Sequence, residues 1–421
     1  MDAEMASWKS TGTYVDVVPP PGVNIVSGMW IFRVKRPPGS PPVFKARYVA
    51  RGFTQRQGFD YFQTFSPTPK MTTLRVLLHV ATQRDYELHS LDFTIAQLSC
   101  RAACTRRSGC AAHLASLGHV LLVPSGASGS QSTVSARSLV LQRFDFTYSS
   151  PQATPLSTRH SLSALPSDES VEPSGPYPEL VGCLMYLMTC TRPDLAYPLS
   201  ILARYVAPRR HRPEHMAAAK RVLRYLCSTS GLGLVLGGRR PVVLTGHADA
   251  SWADDQATQW SSQGYTFSLG SGSVSWRSTR SSSVLGSSCE AEIYAGAMAA
   301  QELRWLTYLL TDLGEPPRSP PVLYVDNKAM LALCREHRLE HRTKHIALRY
   351  FLVRELQQRG QLRLAYVASE ANTADIFTKA LAPCDHQRFC TMLACFALPD
   401  WSCDLLFSPT LPMGVCQTYM L

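Results

Sequence analysis

Between residues 241 and 385 the spacing of apolar positions changes several times, and the order of those changes predicts an architecture. Val242, Val243 and Leu244 open an extended run that ends at Asp249, with Gly246 inside it marking a close approach or a bulge. Gly264 to Leu269 and Ser273 to Trp276 read as two further strands, joined through Gly270, Ser271 and Gly272 as a hairpin, so three antiparallel strands are expected. A long helix follows from Ser288 to Leu313, with Ser287 or Ser288 able to cap its first amides and Gly314 placed to end it. The strand Val322 to Val325 stops at Asp326, and Asn327 starts the next turn. A basic helix from Thr343 to Arg359, a fifth strand from Gln361 to Val367 and a short helix capped by Asn372 complete the pattern.

The long helix carries two acidic residues near its start, and its periodicity separates them. Steps of three and four from Glu292 meet Ala295, Gly296, Ala299, Leu303, Leu306 and Leu310, a small and apolar stripe. The same steps from Glu290 meet Ile293, Tyr294, Ala297, Gln301, Arg304 and Tyr308, a more polar face. Glu292 is therefore expected to point toward the sheet. Upstream, Trp30, Phe32 and Val34 alternate, turn through Pro37, Pro38 and Gly39, and return from Phe44 to Val49 as a hairpin. A helix over Thr72 to Ala81 and a short strand over Leu88 to Phe93 come next, whereas Arg101 to Leu139 shows no sustained period and reads as an irregular insertion. Helices over Leu180 to Thr189 and Met216 to Cys227 follow a Ser/Pro-rich linker, Ser149 to Pro176.

Composition narrows the class of partner. The 421 residues suffice for two or three domains. The balance of 42 Lys and Arg against 31 Asp and Glu, a net +11, favours a polyanion. Thirteen cysteines without a repeating spacing fit a reducing compartment better than a disulfide scaffold. Cys100, Cys104, Cys110 and His113 match none of the usual structural zinc spacings. The first residues lack the features of a secretory signal and no apolar run is long enough to span a membrane, so an intracellular protein of cytoplasm or nucleus is expected.

The chemistry lies in Asp249, Glu292, Asp326 and Asp375, which fall in turn at a strand end, a helix start, a strand end and a helix start. Singly, each has a plain explanation: Asp326 and Asp375 both suit helix caps or first turns, where the helix dipole favours a negative charge. Together, four carboxylates brought to one sheet edge make a site for two hard divalent cations, which suits phosphodiester cleavage. Between Arg335 and Arg363 eight Lys or Arg stand against three Glu, and Arg342, Lys344, His345 and Arg349 are the expected contacts to a nucleic-acid backbone.

Several of these stretches resemble a known family. WIFRVKRPPG, FKARYVARGFTQRQGFDYFQTFSP and ELHSLDFTIAQL, from Trp30 to Leu98, look like the opening of the reverse transcriptase in copia-type retrotransposon polyproteins. That resemblance implies that Asp92 is a vestige of the first polymerase metal site. The family's second carboxylate motif, Tyr-x-Asp-Asp, occurs nowhere in the sequence, so loss of DNA synthesis is expected. LQRFDF and the stretch containing Arg192, Pro193 and Asp194 resemble the thumb and connection. HADASW, SSCEAE, LYVDNKA, HRTKHIALRY and NTADIFTKAL, in register from His247 to Leu381, resemble the ribonuclease H domain of the same elements.

The resemblance implies an α/β (α+β) ribonuclease H-like mixed five-stranded sheet flanked by helices, behind an incomplete reverse transcriptase fingers/palm and thumb/connection region. The domains expected are 1–100 reverse transcriptase fragment, 101–140 insertion, 141–240 thumb/connection, 241–385 ribonuclease H-like and 386–421 unassigned tail. It further implies that Asp249, Glu292, Asp326 and Asp375 bind two Mg²⁺ ions, with Mn²⁺ as a substitute, and hydrolyse the RNA strand of an RNA–DNA hybrid. Other products of the same polyprotein are further expected partners. A catalytically inactive relic that at most binds nucleic acid is the alternative. Many ribonucleases H carry a His shortly before the last aspartate; Ala368, Ser369 and Glu370 occupy that loop here.

Overall fold

The computed structural model describes residues 1–2, 5–6, 8, 18–19, 21, 25–35, 41–55, 70–84, 86–90, 120–124, 136–159, 162, 175–207, 211–229, 232–237, 242–255, 258–335, 347–393 and 395–397. The chain divides into two compact units, Met1–Pro69 with Leu88–Val123, and Lys70–Glu87 with Pro124–Leu421.

In the first unit, β1 (Gly28–Lys35) and β2 (Val43–Ala50) pair antiparallel from Gly28 opposite Ala50 to Lys35 opposite Val43. This is the hairpin expected from the alternation. Trp30 sets its ring against Tyr48 at 5.2 Å, edge to face. In the chain order that follows, α1 (Met71–Gln83) precedes the strands β3 (Tyr86–Ser90) and β4 (Val120–Pro124). The strand β4 falls inside the stretch expected to be irregular; the four apolar residues Val120 to Val123 supply enough β propensity for one short strand without any longer period.

The second unit has a helical part and a sheet. The helices α2 (Ala136–Arg143), α3 (Tyr177–Cys190), α4 (Ala196–Leu202) and α5 (Pro213–Ser228) close over a core of Tyr177, Leu184, Leu199, Leu202 and Leu223. After the short β5 (Leu232–Leu234) come β6 (Leu244–Ser251), β7 (Trp260–Leu269) and β8 (Ser273–Val284), and then α6 (Ser288–Asp312). They are followed by β9 (Val322–Val325), α7 (Lys328–Arg335), α8 (Ala347–Gln358), β10 (Arg363–Tyr366), α9 (Pro383–Met392) and β11 (Cys395–Ala397). The sheet runs β10-β9-β6-β7-β8, with β6, β7 and β8 antiparallel in sequence and β9 and β10 parallel to β6. A mixed five-stranded sheet with this order of strands and helices is the ribonuclease H-like layout implied by the motifs.

The strands β7 and β8 extend well beyond the segments that periodicity marks. Their added halves are polar, yet Ser261, Ser262 and Gln263 are buried, so no alternation of apolar and polar residues announces them. The stripe on α6 does face the core: Ala295, Gly296, Ala299, Leu303, Leu306 and Leu310 are all buried. Each buried leucine contributes about 1.5–3 kcal/mol relative to an exposed one. The helix α1 adds Val76 and Val80 to the same core. Its Arg75 donates to the Val274 and Thr189 carbonyls at 2.7 and 2.5 Å and lies over the Trp276 ring, tying the helical part to the sheet.

One expectation about α6 needs correcting. Glu290 is buried like Glu292, and Ile293 and Ala297 beside it are buried too. Glu290 accepts from the Gly286 amide at 2.6 Å while its own amide donates to the Ser287 hydroxyl. The helix N-terminus thus absorbs this carboxylate as a cap, which a helical wheel does not register.

Candidate metal centre

Parallel pairing of β6 with β9 brings the C-terminal ends of both strands to one edge. Asp249 stands near the end of β6, and Asp326 directly follows β9. The first turns of α6 deliver Glu292 to the same edge. One carboxylate oxygen from each of Asp249, Glu292 and Asp326 lies within 4.8 Å of the other two. Asp249 is 1% exposed and Glu292 7%, while Asp326 is half-buried. Glu292 Oε2 is buried without a hydrogen-bond partner, which is costly for a carboxylate unless a cation or proton satisfies it.

Asp375 arrives on a separate device. The 3₁₀ turn Thr373–Phe377 begins at Asn372, whose Oδ1 accepts from the Ala374 amide and whose Nδ2 donates to the Ala248 carbonyl at 3.1 Å. A capping residue therefore also bolts the turn to β6, one residue from Asp249. Gly264 pairs across the sheet with Asp249, and a Cβ there would come within 2.5 Å of Phe377 Cβ. Only glycine lets the turn press this close. Gly246 has a parallel use: a Cβ there would strike the Phe267 ring, so the expected close approach is present, with regular β6–β7 pairing around it.

Asp375 meets the others through Lys379. The ammonium lies 3.2 Å from Asp375 Oδ1 and 3.4 Å from Asp249 Oδ2, and the Thr378 hydroxyl donates to Asp249 Oδ2 as well. Ser369 donates to Asp326 Oδ2 at 2.8 Å from the loop where many ribonucleases H carry a His. Neither Thr378, Lys379 nor Ser369 stood out in the sequence. The NTADIFTK motif holds the signal for two of them, a hydroxyl and a cation three and four residues after Asp375.

Crowding marks the electrostatics. Burial, then the charges of Asp249 and Asp326, push Glu292 up to about 9. Burial, then Asp249, pushes Asp375 up to about 7. Burial raises Asp249 despite the opposing Lys379 charge and Thr378 bond. Lys379 is raised, because Asp249 and Asp375 outweigh the burial that would lower it. Carboxyl groups held this near each other favour a shared cation or proton. The donor set is all oxygen from carboxylates, which fits a hard divalent ion such as Mg²⁺.

Asp92, Arg342, Lys344 and His345 lie outside the described residues, and of Arg349 only the backbone, in α8, is described. Among the described residues no helix is long and apolar enough to cross a membrane.

Residues 11–104 match the family model described as reverse transcriptase (RNA-dependent DNA polymerase). The Pol polyprotein of transposon RE2 from Arabidopsis thaliana is 31% identical over 480 residues, covering 90% of this chain and 33% of that one. A shorter relative, the secreted RxLR effector protein 161 of Plasmopara viticola, is 45% identical over 132 residues, 31% of this chain and 92% of that one. Among solved structures, LC11-RNase H1 in complex with an RNA/DNA hybrid matches at 11% identity and a TM-score of 0.26, covering 32% of this chain and 93% of that one. A reverse transcriptase segment followed by a ribonuclease H-like sheet defines a retroelement Pol protein. Over nine-tenths of its length the chain is homologous to the Pol polyproteins of copia-type retrotransposons, and it spans about a third of the length of the curated polyproteins it matches.

Proposed function

We propose that the sheet edge formed by Asp249, Glu292, Asp326 and Asp375 is the active centre of an endonuclease that hydrolyses the RNA strand of an RNA–DNA hybrid, and that this chain no longer polymerises DNA. The observation that carries the reading is the approach of Asp249, Glu292 and Asp326 oxygens to within 4.8 Å with Glu292 Oε2 left unsatisfied. Divalent ions, when bound, would lower the pKa of the attacking water and neutralise charge on the departing 3′ oxygen.

The residues of the chain supply the rest. Asp249, Glu292 and Asp326 would hold one ion, and Asp249 with Asp375 a second. Asn372 and Gly264 seat the turn that carries Asp375, and Ser369 holds Asp326. The basic segment around Arg342, Lys344, His345 and Arg349 would bind the phosphate backbone, and the 2′-hydroxyl, both donor and acceptor, would single out the RNA strand. The reading that polymerisation is lost is supported by the sequence, which contains no Tyr-x-Asp-Asp to complete a second metal site.

The experiment is incubation of purified full chain with a labelled RNA–DNA hybrid and Mg²⁺ or Mn²⁺, beside Asp249→Asn and beside a primer-extension assay. Cleavage by the wild type alone, without extension, is the expected result. Absence of cleavage would leave the inactive relic, and preference for duplex DNA would replace the substrate.

A further inference from the structure

The four carboxylates form two halves that share Asp249. In one half, Glu292 and Asp326 gather with Asp249 around an unsatisfied oxygen. In the other, Asp249 and Asp375 are bridged by the Lys379 ammonium at 3.4 and 3.2 Å. That group sits where a cation coordinated by both aspartates would sit, and it supplies one positive charge where a divalent ion would supply two. Both cannot occupy the position, because like charges at such separations repel strongly in a partly desolvated site. The lysine side chain is 39% exposed, against 1% for Asp249, so the lysine is the member able to move. Its four-carbon stem can turn the ammonium out to water at small cost.

We propose that Lys379 is a resident counter-ion of the Asp249–Asp375 half, which withdraws toward solvent when a divalent cation binds there and so sets the affinity for the second ion. The inference rests on reading the four carboxylates as a divalent-cation centre. Lys379 is in this sense a positioning residue. It keeps the buried aspartates together in the free protein and yields to the ion.

Calorimetric titration of the full chain with Ca²⁺ and Mg²⁺, without nucleic acid, tests this on the wild type, Lys379→Met and Lys379→Arg. The weaker binding step should tighten by about tenfold or more in Lys379→Met and stay near wild type in Lys379→Arg, since removing one competing charge at contact distance is worth at least that factor. Equal affinities in wild type and Lys379→Met, even with lowered thermal stability, would make Lys379 a merely structural ion pair and overturn the proposal. Absence of cation binding in all three proteins would overturn the metal-centre reading itself. A measurement on the wild type guards against misfolding of the variants: acylation of Lys379 by an amine-reactive ester, quantified by mass spectrometry. Labelling should rise several-fold when Ca²⁺ is added, and labelling that stays level or falls would count against withdrawal.

Discussion

Two buried acidic sites in the second unit show opposite solutions to the same problem. Asp194, in the turn Arg192–Pro193–Asp194, is 1% exposed, and Arg192 meets it through two nitrogens, Nε at 2.9 Å and Nη2 at 2.6 Å. The Tyr225 hydroxyl donates to it at 2.8 Å, while Arg192 Nη2 also reaches the Thr229 hydroxyl. Burial alone would raise this carboxyl, but the charge and bonds of Arg192, with the bond from Tyr225, hold it below its ordinary range. Asp249 and Glu292 are buried to a similar degree, yet they face one another and Asp326, and both are raised. A carboxylate that is fully paired holds a fold together, whereas carboxylates that are crowded and under-paired keep capacity for a cation. Burial by itself does not distinguish the two.

The sharpest way to break this contrast is by exchange of neutral amides. Asp249→Asn should reduce hybrid hydrolysis to background while the protein stays folded, whereas Asp194→Asn should leave turnover per folded molecule unchanged and lower stability. Activity that survives Asp249→Asn would end the comparison. Next in size, Arg192→Met leaves Asp194 buried without its cation and should cost about 3–5 kcal/mol in denaturant unfolding. A loss below about 1 kcal/mol would place the pair among weak surface bridges.

His79 extends the contrast to a base. Its Nδ1 accepts from the Gly237 amide at 3.0 Å, and burial holds the imidazole down at about 4 instead of 6.5. The unfolded chain therefore binds this proton first as the pH falls. Stability from the neutral ring is complete above about 6.5 and is lost progressively toward about 4, by as much as about 3 kcal/mol. His79→Gln should flatten that part of the stability–pH profile, and a profile unchanged by the substitution would remove His79 as its cause.

Smaller effects probe the scaffold. Gly264→Ala places a methyl against Phe377 and should cost about 1–3 kcal/mol, with a larger loss of hydrolysis than of stability because the turn carrying Asp375 is pushed off β6. Equal activity per folded molecule would show that the turn tolerates displacement. Smallest of all, Glu292→Gln replaces a carboxyl that burial and its acidic neighbours already push up to about 9. In chelator the melting temperature should stay level or rise by a few degrees, opposite in sign to Asp194→Asn; a clear fall would mean that Glu292 stabilises the fold.

Much of this was legible in the chain. The hairpin of β1 and β2, the long α6 with its Ser287 cap, the inward Glu292 and the strand ending at Asp326 all follow from periodicity and capping chemistry, which act over a few residues. The polar halves of β7 and β8 were not legible, because Ser261, Ser262 and Gln263 are buried by pairing instead of by apolarity. The burial of Glu290 escapes a helical wheel for a related reason: a backbone amide four residues earlier satisfies its charge.

Sequence alone determined which carboxylates the chain carries and in what order of strand and helix ends, since local chemistry sets those ends. Only tertiary structure decided that Asp249, Glu292 and Asp326 share a few ångströms while Asp375 is reached through Lys379, and that Gly264 and Asn372 seat the last turn against β6. These are contacts between groups many residues apart. Their distances depend on strand pairing and on packing volume, and neither is encoded by any single stretch.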